Sequence, residues 1–276
     1  MPTPGSYDVS TAHQDRETEV ARLADQASLG WEKEAAVLER FGFRDRMSIL
    51  EMGSGPGFVT RLLLDHFPRA QVTCVEIDET LIEDAKRYLA DDAGRVTYVH
   101  ASVDATGLLT DAFDAAYARL LFQHLPDPAA AAAETFRLLR PGAPFVIYDV
   151  DDELDFVTDP AIPGLDAVLD RMRQVQAAQG GDRYIGRRML RILKAAGFGD
   201  LEMEAIAVNS ETYGLDAFLH QFDPGRLAPL IQAGVVSPEE RDQLIAQRTE
   251  FLASDPFVLF VFLMAGGQKP RTAVSS

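Results

Sequence analysis

The sequence predicts an α/β fold built on a mostly parallel sheet of seven strands, and three observations predict it. Short apolar runs alternate with helical stretches from Ser48 to Val208, and parallel strands need a crossover of a dozen or more residues, usually a helix. A strand ending at Met52 runs straight into the glycine-rich Gly53–Gly57 and then a helix. The last apolar run, Phe257–Ala265, leaves no room for a crossover helix after it, so it is expected to insert antiparallel.

The elements follow in order. Residues 15–41 carry helical spacing on two stripes, Val20, Leu23, Ala24 and Ala27, then Trp31, Ala35 and Leu38, so two helices separated near Gly30 are expected. A strand at Ser48–Met52 precedes a helix at Phe58–Phe67, a strand at Gln71–Glu76 and a helix at Glu79–Leu89. Short strands follow near Val96–Val99 and Phe113–Tyr117. Asp127 can cap the next helix and Pro128 can occupy its first turn, with Arg140-Pro141-Gly142 ending it before a strand at Pro144–Asp149. A helix near Arg187–Ala196 and a strand near Leu201–Val208 resume the alternation. Two helical insertions, 150–184 and 209–256, are expected at the carboxyl edge of the sheet. The domain reading is an N-terminal helical lid over 1–46, a core over 47–208 and 257–268, and an insertion over 209–256 contributing to an acceptor pocket.

Composition narrows the function. With 276 residues and 47% hydrophobic content the chain can bury a sizeable core, and with 43 acidic against 26 basic residues its formal charge is -17. Such a field repels phosphates, so no nucleic acid and no membrane surface is expected as partner. Cys74 is the single cysteine, which leaves neither a disulfide nor a Cys/His zinc cluster and fits a reducing cytoplasm. The first twenty residues lack the basic flank and apolar stretch of a secretory signal, and Phe257–Met264 is under half the ~20 residues that span a bilayer. No Gly-x-Ser-x-Gly elbow announces a hydrolase.

The most informative segment is Ile49-Leu50-Glu51-Met52-Gly53-Ser54-Gly55-Pro56-Gly57-Phe58. Its glycines allow unusual dihedrals and close approach of a ligand to the main chain, although an ordinary tight turn would also use them. Phe58 stands where the dinucleotide fingerprint has its last glycine, which disfavours NAD and FAD, and no Gly-Lys-Ser/Thr follows as in a Walker loop. In Val72-Thr73-Cys74-Val75-Glu76-Ile77-Asp78, Glu76 ends the next strand, where an acid can accept ribose hydroxyls; the alternative is a solvated strand end.

With these residues in view, the sequence resembles the class I S-adenosylmethionine-dependent methyltransferases. ILEMGSGPG is similar to that family's acid-x-Gly-x-Gly-x-Gly motif, with Glu51 as the acid, and VTCVEID to its second motif. TYVHASVDA resembles the adenine-binding segment, FDAAYARLLFQHLPDP the fourth-strand motif, and LLRPGAPFVIYDVDD the turn and fifth strand. The likeness spans about residues 15–208 plus the last strand, and implies a Rossmann-like sheet with S-adenosyl-L-methionine as cofactor. It places Glu51, Gly53, Ser54, Gly55 and Gly57 around the methionine portion, Glu76 and Ile77 at the ribose, Ser102 and Val103 at adenine, and Arg119 and Leu120 along the cofactor. Relatives often carry an acid where this chain has Ser102. Metal-dependent relatives place an Asp at the end of the fourth strand, where this chain has Arg119, so no metal is expected.

Two residues are candidates for chemistry. His124, in the loop after the fourth strand, is a candidate general base, its rival role being a bond to the loop backbone. Asp149, ending the fifth strand, is a candidate for orienting an amine or accepting a proton. The acidic run Asp151, Asp152, Glu153 and Asp155 reads as metal ligands, a cation clamp or a solvated loop. The expected function is transfer of a methyl group to a small, hydrophobic or natural-product acceptor by in-line displacement. The alternatives are a cyclisation or other non-methylating reaction on this fold, or a protein that binds the cofactor without consuming it. The insertion could also form the contact of a homodimer or higher oligomer.

Overall fold

The computed structural model describes residues 6, 7, 15–154 and 156–271, so Asp155 and residues 1–5 and 8–14 of the expected lid lie outside the described residues. Two helices lead: α1 (Arg16–Ser28), capped by Asp15 accepting from the Thr18 amide, and α2 (Trp31–Phe41). Next come β1 (Ser48–Met52), α3 (Phe58–His66), β2 (Gln71–Glu76), α4 (Glu79–Tyr88), β3 (Val96–His100) and β4 (Ala115–Arg119). Then follow α5 (Pro128–Leu138), β5 (Pro144–Val150), β6 (Phe156–Asp159), α6 (Leu165–Ala178), α7 (Met189–Ala196) and β7 (Gly199–Asn209). Last are α8 (Ser210–Tyr213), α9 (Ala228–Gln232), α10 (Pro238–Ala253) and β8 (Phe257–Gln268). Asp127 caps α5 by accepting from the Ala130 amide, with Pro128 in the first turn. Asp78 caps α4 by accepting from Thr80 and Leu81.

The seven expected strands form one sheet in the order β3-β2-β1-β4-β5-β8, with β7 on the far side of β8. Strands β3 to β5 pair in parallel, whereas β8 is antiparallel to both β5 and β7. An eighth strand, β6, corrects the expectation of a purely helical insertion at 150–184. At 12 residues β8 outruns β5: residues 262–268 pair with β5, and residues 257–260 would be left with an unpaired edge. Phe156–Asp159 fills that edge, antiparallel, from Phe156 opposite Phe260 to Asp159 opposite Phe257. The fourth strand also begins later than expected. Phe113 makes only an isolated bridge to Leu139, and the ladder runs through Arg119.

Period-two alternation sends neighbouring side chains to opposite faces of the sheet. On one face Leu50, Met52, Val75, Phe145 and Ile147 pack with α5 and α7 residues such as Ala131, Ala132, Met189 and Leu193. On the other, Ile49, Cys74, Tyr117, Val146 and Tyr148 pack with Leu38 and Phe41 of α2 and Leu63 and Leu64 of α3. Each such side chain contributes on the order of 1.5–3 kcal/mol by leaving water. The alanine run lets α5 lie close, since Ala131 and Ala132 are fully buried against the strands. With both faces covered, the carboxyl ends of β1, β2, β4 and β5 are the part of the sheet left for a ligand. Among the described residues no helix is long and apolar enough to cross a membrane.

Candidate functional site

Glu76 organises the tips of β1 and β2. Its Oε2 accepts from the Gly55 amide at 2.9 Å, and its Oε1 from the amides of Ile77 and Asp78 at 2.8 and 3.0 Å. A carboxylate offers roughly four lone-pair positions, so about one remains for a ligand hydroxyl. Burial raises the Glu76 pKa, and the three amides oppose that shift. Gly53, Gly55 and Gly57 all take positive φ, but only the first two line the cavity. A Cβ on Gly55 would stand in open space, so a ligand can reach its backbone there. A Cβ on Gly57 would meet Leu89 Cδ1 at 2.8 Å and Ala85 at 3.2 Å, so Gly57 serves the approach of α3 and α4 and does not touch the cofactor space. Ser54 faces the cavity with a buried hydroxyl that has no hydrogen-bond partner among the described residues.

Glu51 likewise departs from its expected place. It is buried beneath the turn, accepts from Thr60 Oγ1 at 2.6 Å and lies outside the cavity wall. Burial pushes its pKa up to about 8. Cys74 sits beside it, with burial and the Glu51 charge raising its thiol pKa far out of the nucleophilic range.

Arg119 and Leu120 do line the cavity. Arg119 Nε donates to both oxygens of the buried Glu34 at 3.2 and 3.0 Å, Nη2 donates to the Gln26 carbonyl at 2.9 Å, and the guanidinium lies 4.6 Å from the Tyr148 ring centroid. Tyr117 adds its hydroxyl to Glu34. One cation therefore pins both leading helices to the sheet. Glu34 was not singled out by sequence reasoning, though a signal existed: a charge one residue before Ala35 on the stripe that α2 buries. Tyr7, Glu19 and Arg22 form a second buried group, Tyr7 Oη donating to Glu19 at 2.8 Å and Arg22 to Glu19 at 2.6 and 2.8 Å.

The two residues proposed for chemistry are placed differently from one another. His124 faces the cavity, but its Nδ1 receives the Gln176 side-chain amide at 3.2 Å and lies 3.0 Å from Ser6 Oγ, so that lone pair is already engaged. Burial, reinforced by Arg183 and Arg22, lowers its pKa to about 3, which makes it a weak base. Asp149 is fully buried behind the loop and outside the cavity wall, accepting from the Gln123 and Val150 amides at 3.1 and 2.9 Å. It holds the loop that presents Gln123 and His124, and burial raises its pKa to about 7. The acidic run after it is ion-paired: Asp151 and Glu153 with Arg187 at 2.5 and 2.7 Å, Asp152 with Arg183 at 2.7 Å and Arg173 at 3.3 Å. Among the described residues no group of three His, Cys, Asp or Glu is placed to hold a metal ion.

A cavity of about 560 Å³ joins these parts. One end holds Gly53, Ser54, Gly55, Glu76, Ile77, Ser102 and Val103; the other is walled by α1, α6, the 224–227 turn and α10. The orphan hydroxyl of Ser54, the open backbone at Gly55 and the spare acceptor capacity of Glu76 fit an amino-acid-bearing nucleoside at the first end.

Sheet order, glycine turn and strand-end acid together define the class. Residues 50–147 match the family model described as a methyltransferase domain, and the fold is the Rossmann-like fold of methyltransferases. Among curated proteins the chain is 31% identical over 121 residues to a malonyl-[acyl-carrier protein] O-methyltransferase of Anoxybacillus flavithermus, covering 44% of this chain and 46% of that one. It is 28% identical over 179 residues to a trans-aconitate 2-methyltransferase of Methylobacterium radiotolerans, covering 63% and 62%. The chain thus spans about half to three fifths of the length of these relatives. A phosphoethanolamine N-methyltransferase 2 of Haemonchus contortus shares the fold, with a TM-score of 0.56 at 20% identity over 87% of this chain and 53% of that one.

Proposed function

We propose that this protein moves a methyl group from S-adenosylmethionine to a small-molecule acceptor held at the far end of the same cavity. The observation that carries this reading is the continuity of the space: the glycine turn and Glu76 open into a chamber walled by Phe222, Leu227, Leu230 and Leu244. When bound, the cofactor supplies a methyl carbon on a positively charged sulfur. Gly53, Ser54 and Gly55 would hold its amino-acid part, Glu76 and Ile77 its ribose, and Ser102 and Val103 its adenine. Arg119, by fixing α1 and α2 against the sheet, would keep the wall closed over Leu120, so that residues 1–46 act as the lid, 47–208 and 257–268 as the core, and 209–256 as part of the acceptor pocket.

The leaving sulfur departs neutral, so alignment of nucleophile, carbon and sulfur and exclusion of water carry most of the barrier reduction. Positioning alone is worth roughly 7–11 kcal/mol. His124, with its Nδ1 engaged, would shape the acceptor space and leave the proton alone. A relative whose name gives trans-aconitate as acceptor supports a small-molecule acceptor, and another names a malonyl group carried on an acyl-carrier protein. Incubating the protein with methyl-labelled cofactor and a panel of metabolites, read by mass spectrometry, is the test. A product heavier by one labelled methyl is expected; turnover products of unchanged methyl count would point to the non-methylating reading instead.

A further inference from the structure

The two ends of the cavity differ in their charge balance. Five arginines reach the acceptor end from segments far apart in the chain: Arg22 from α1, Arg173 from α6, Arg183 ahead of α7, Arg226 from the 224–227 turn and Arg248 from α10. Three of them are answered by carboxylates, Arg22 by Glu19 at 2.6 Å, Arg183 by Asp152 at 2.7 Å and Arg173 by Asp152 at 3.3 Å. Arg226 and Arg248 are not. Among the described residues Arg226 Nη1 bonds the backbone and side-chain carbonyl oxygens of Gln221, at 2.9 and 3.1 Å, and forms no ion pair, although Glu19 and Asp223 line the same cavity. Arg248 forms no ion pair among the described residues, and its Nε is buried without a partner.

Composition makes this pairing deficit informative. The chain has 43 acids against 26 bases, so a randomly placed arginine here finds a carboxylate easily. Two unanswered guanidinium groups facing one cavity run against that excess. Burial lowers the Arg226 pKa to about 10, with Arg22 and Arg183 pressing in the same direction and Glu19, itself held by Arg22, opposing them from beyond ion-pair distance. A partly buried cation without a counter-charge is costly, and a bound anion offsets that cost. Guanidinium groups present planar paired donors that match the two oxygens of a carboxylate. Beside them, Leu227, Leu230 and Leu244 offer an apolar wall.

We propose that Arg226 and Arg248 are the anion-binding end of the acceptor site, and that the acceptor is a carboxylate carried on an apolar body. This deepens the methyltransferase reading and rests on it. The test is calorimetry on the full chain saturated with S-adenosylhomocysteine, titrated with octanoate, octanol and octylamine. Octanoate binds, octanol binds roughly tenfold more weakly or less, and octylamine does not bind. Arg226→Gln and Arg248→Gln each weaken octanoate roughly tenfold while S-adenosylhomocysteine affinity, measured without octanoate, changes less than about twofold. Thermal unfolding with and without S-adenosylhomocysteine shows that each variant is folded. Equal binding of octanol and octanoate overturns the proposal. So does loss of S-adenosylhomocysteine affinity in Arg226→Gln with octanoate unaffected, which would give the arginine to the cofactor's own carboxylate. Wild-type protein that ignores S-adenosylhomocysteine sinks the methyltransferase reading separately, and octanoate affinity still decides the arginines.

Discussion

The proposed cofactor end and the proposed acceptor end of the cavity are built by opposite strategies. The first comes from neighbouring pieces of chain: a turn at 53–57 and a strand end at Glu76, joined by hydrogen bonds of 2.8–3.0 Å to backbone amides. The second is assembled from Tyr7, Arg22, Arg183, Arg226 and Arg248, which lie on separate segments and meet only in the folded chain. On the proposed reading, what holds the cofactor is thus local and backbone-based, while what selects an acceptor is dispersed and made of side chains. Between them stands Arg119, at the end of a core strand yet bonded to both leading helices.

The largest effect is expected where the two ends are joined. Arg119→Met leaves Glu34, with no exposed surface, without its cation, and should cost about 3–5 kcal/mol in chemical unfolding. The double variant Arg119→Met with Glu34→Leu should recover most of that loss; no recovery would mean that the packing of Arg119 on Tyr148, and not the charge pair, holds the helices. Next comes Glu76→Ala, which should weaken S-adenosylhomocysteine on the order of 10- to 100-fold by calorimetry and leave octanoate binding nearly intact. Equal loss of both ligands would erase the division into two ends.

Away from both ligands, a pH slope is expected from the buried acid beneath the glycine turn. Glu51 titrates near 8 in the folded protein because it is buried, against 4.5 for the free group. Between roughly pH 4.5 and 8 the native state therefore keeps a proton that the unfolded chain has lost. Stability from this group is full below about 4.5 and declines as pH rises toward 8. Glu51→Gln, neutral at every pH, should flatten the fall in the urea midpoint between pH 5 and pH 8. A residual slope of the same sign stays with Asp149, raised to about 7. An unchanged slope in Glu51→Gln would place its proton elsewhere.

The same contrast explains what could be read in advance. Strand and helix types were legible because period-two and 3.6-residue patterns are written in adjacent residues, as were the caps Asp78 and Asp127. That Gly53, Gly55 and Glu76 would lie together at the strand ends was legible because a glycine turn after a strand and an acid at the next strand end leave local marks. Glu51, Gly57 and Asp149 were misplaced by the same logic, for spacing shows that a residue is near a site and not which way its side chain packs. The strand at Phe156–Asp159 escaped notice because its reason lies a hundred residues away, in the unpaired edge of β8.

Sequence alone determined the α/β alternation, the antiparallel last strand and the glycine turn after the first strand, since each depends on residues close in the chain. The tertiary structure alone decided that Glu34 and Arg119 would meet, that the acidic run after Asp149 would be spent on arginines, and that Arg226 and Arg248 would face one cavity without an ion pair among the described residues. The physical reason is that ion pairing and burial are set by distance in space, and only folding fixes distances between residues that the chain keeps far apart.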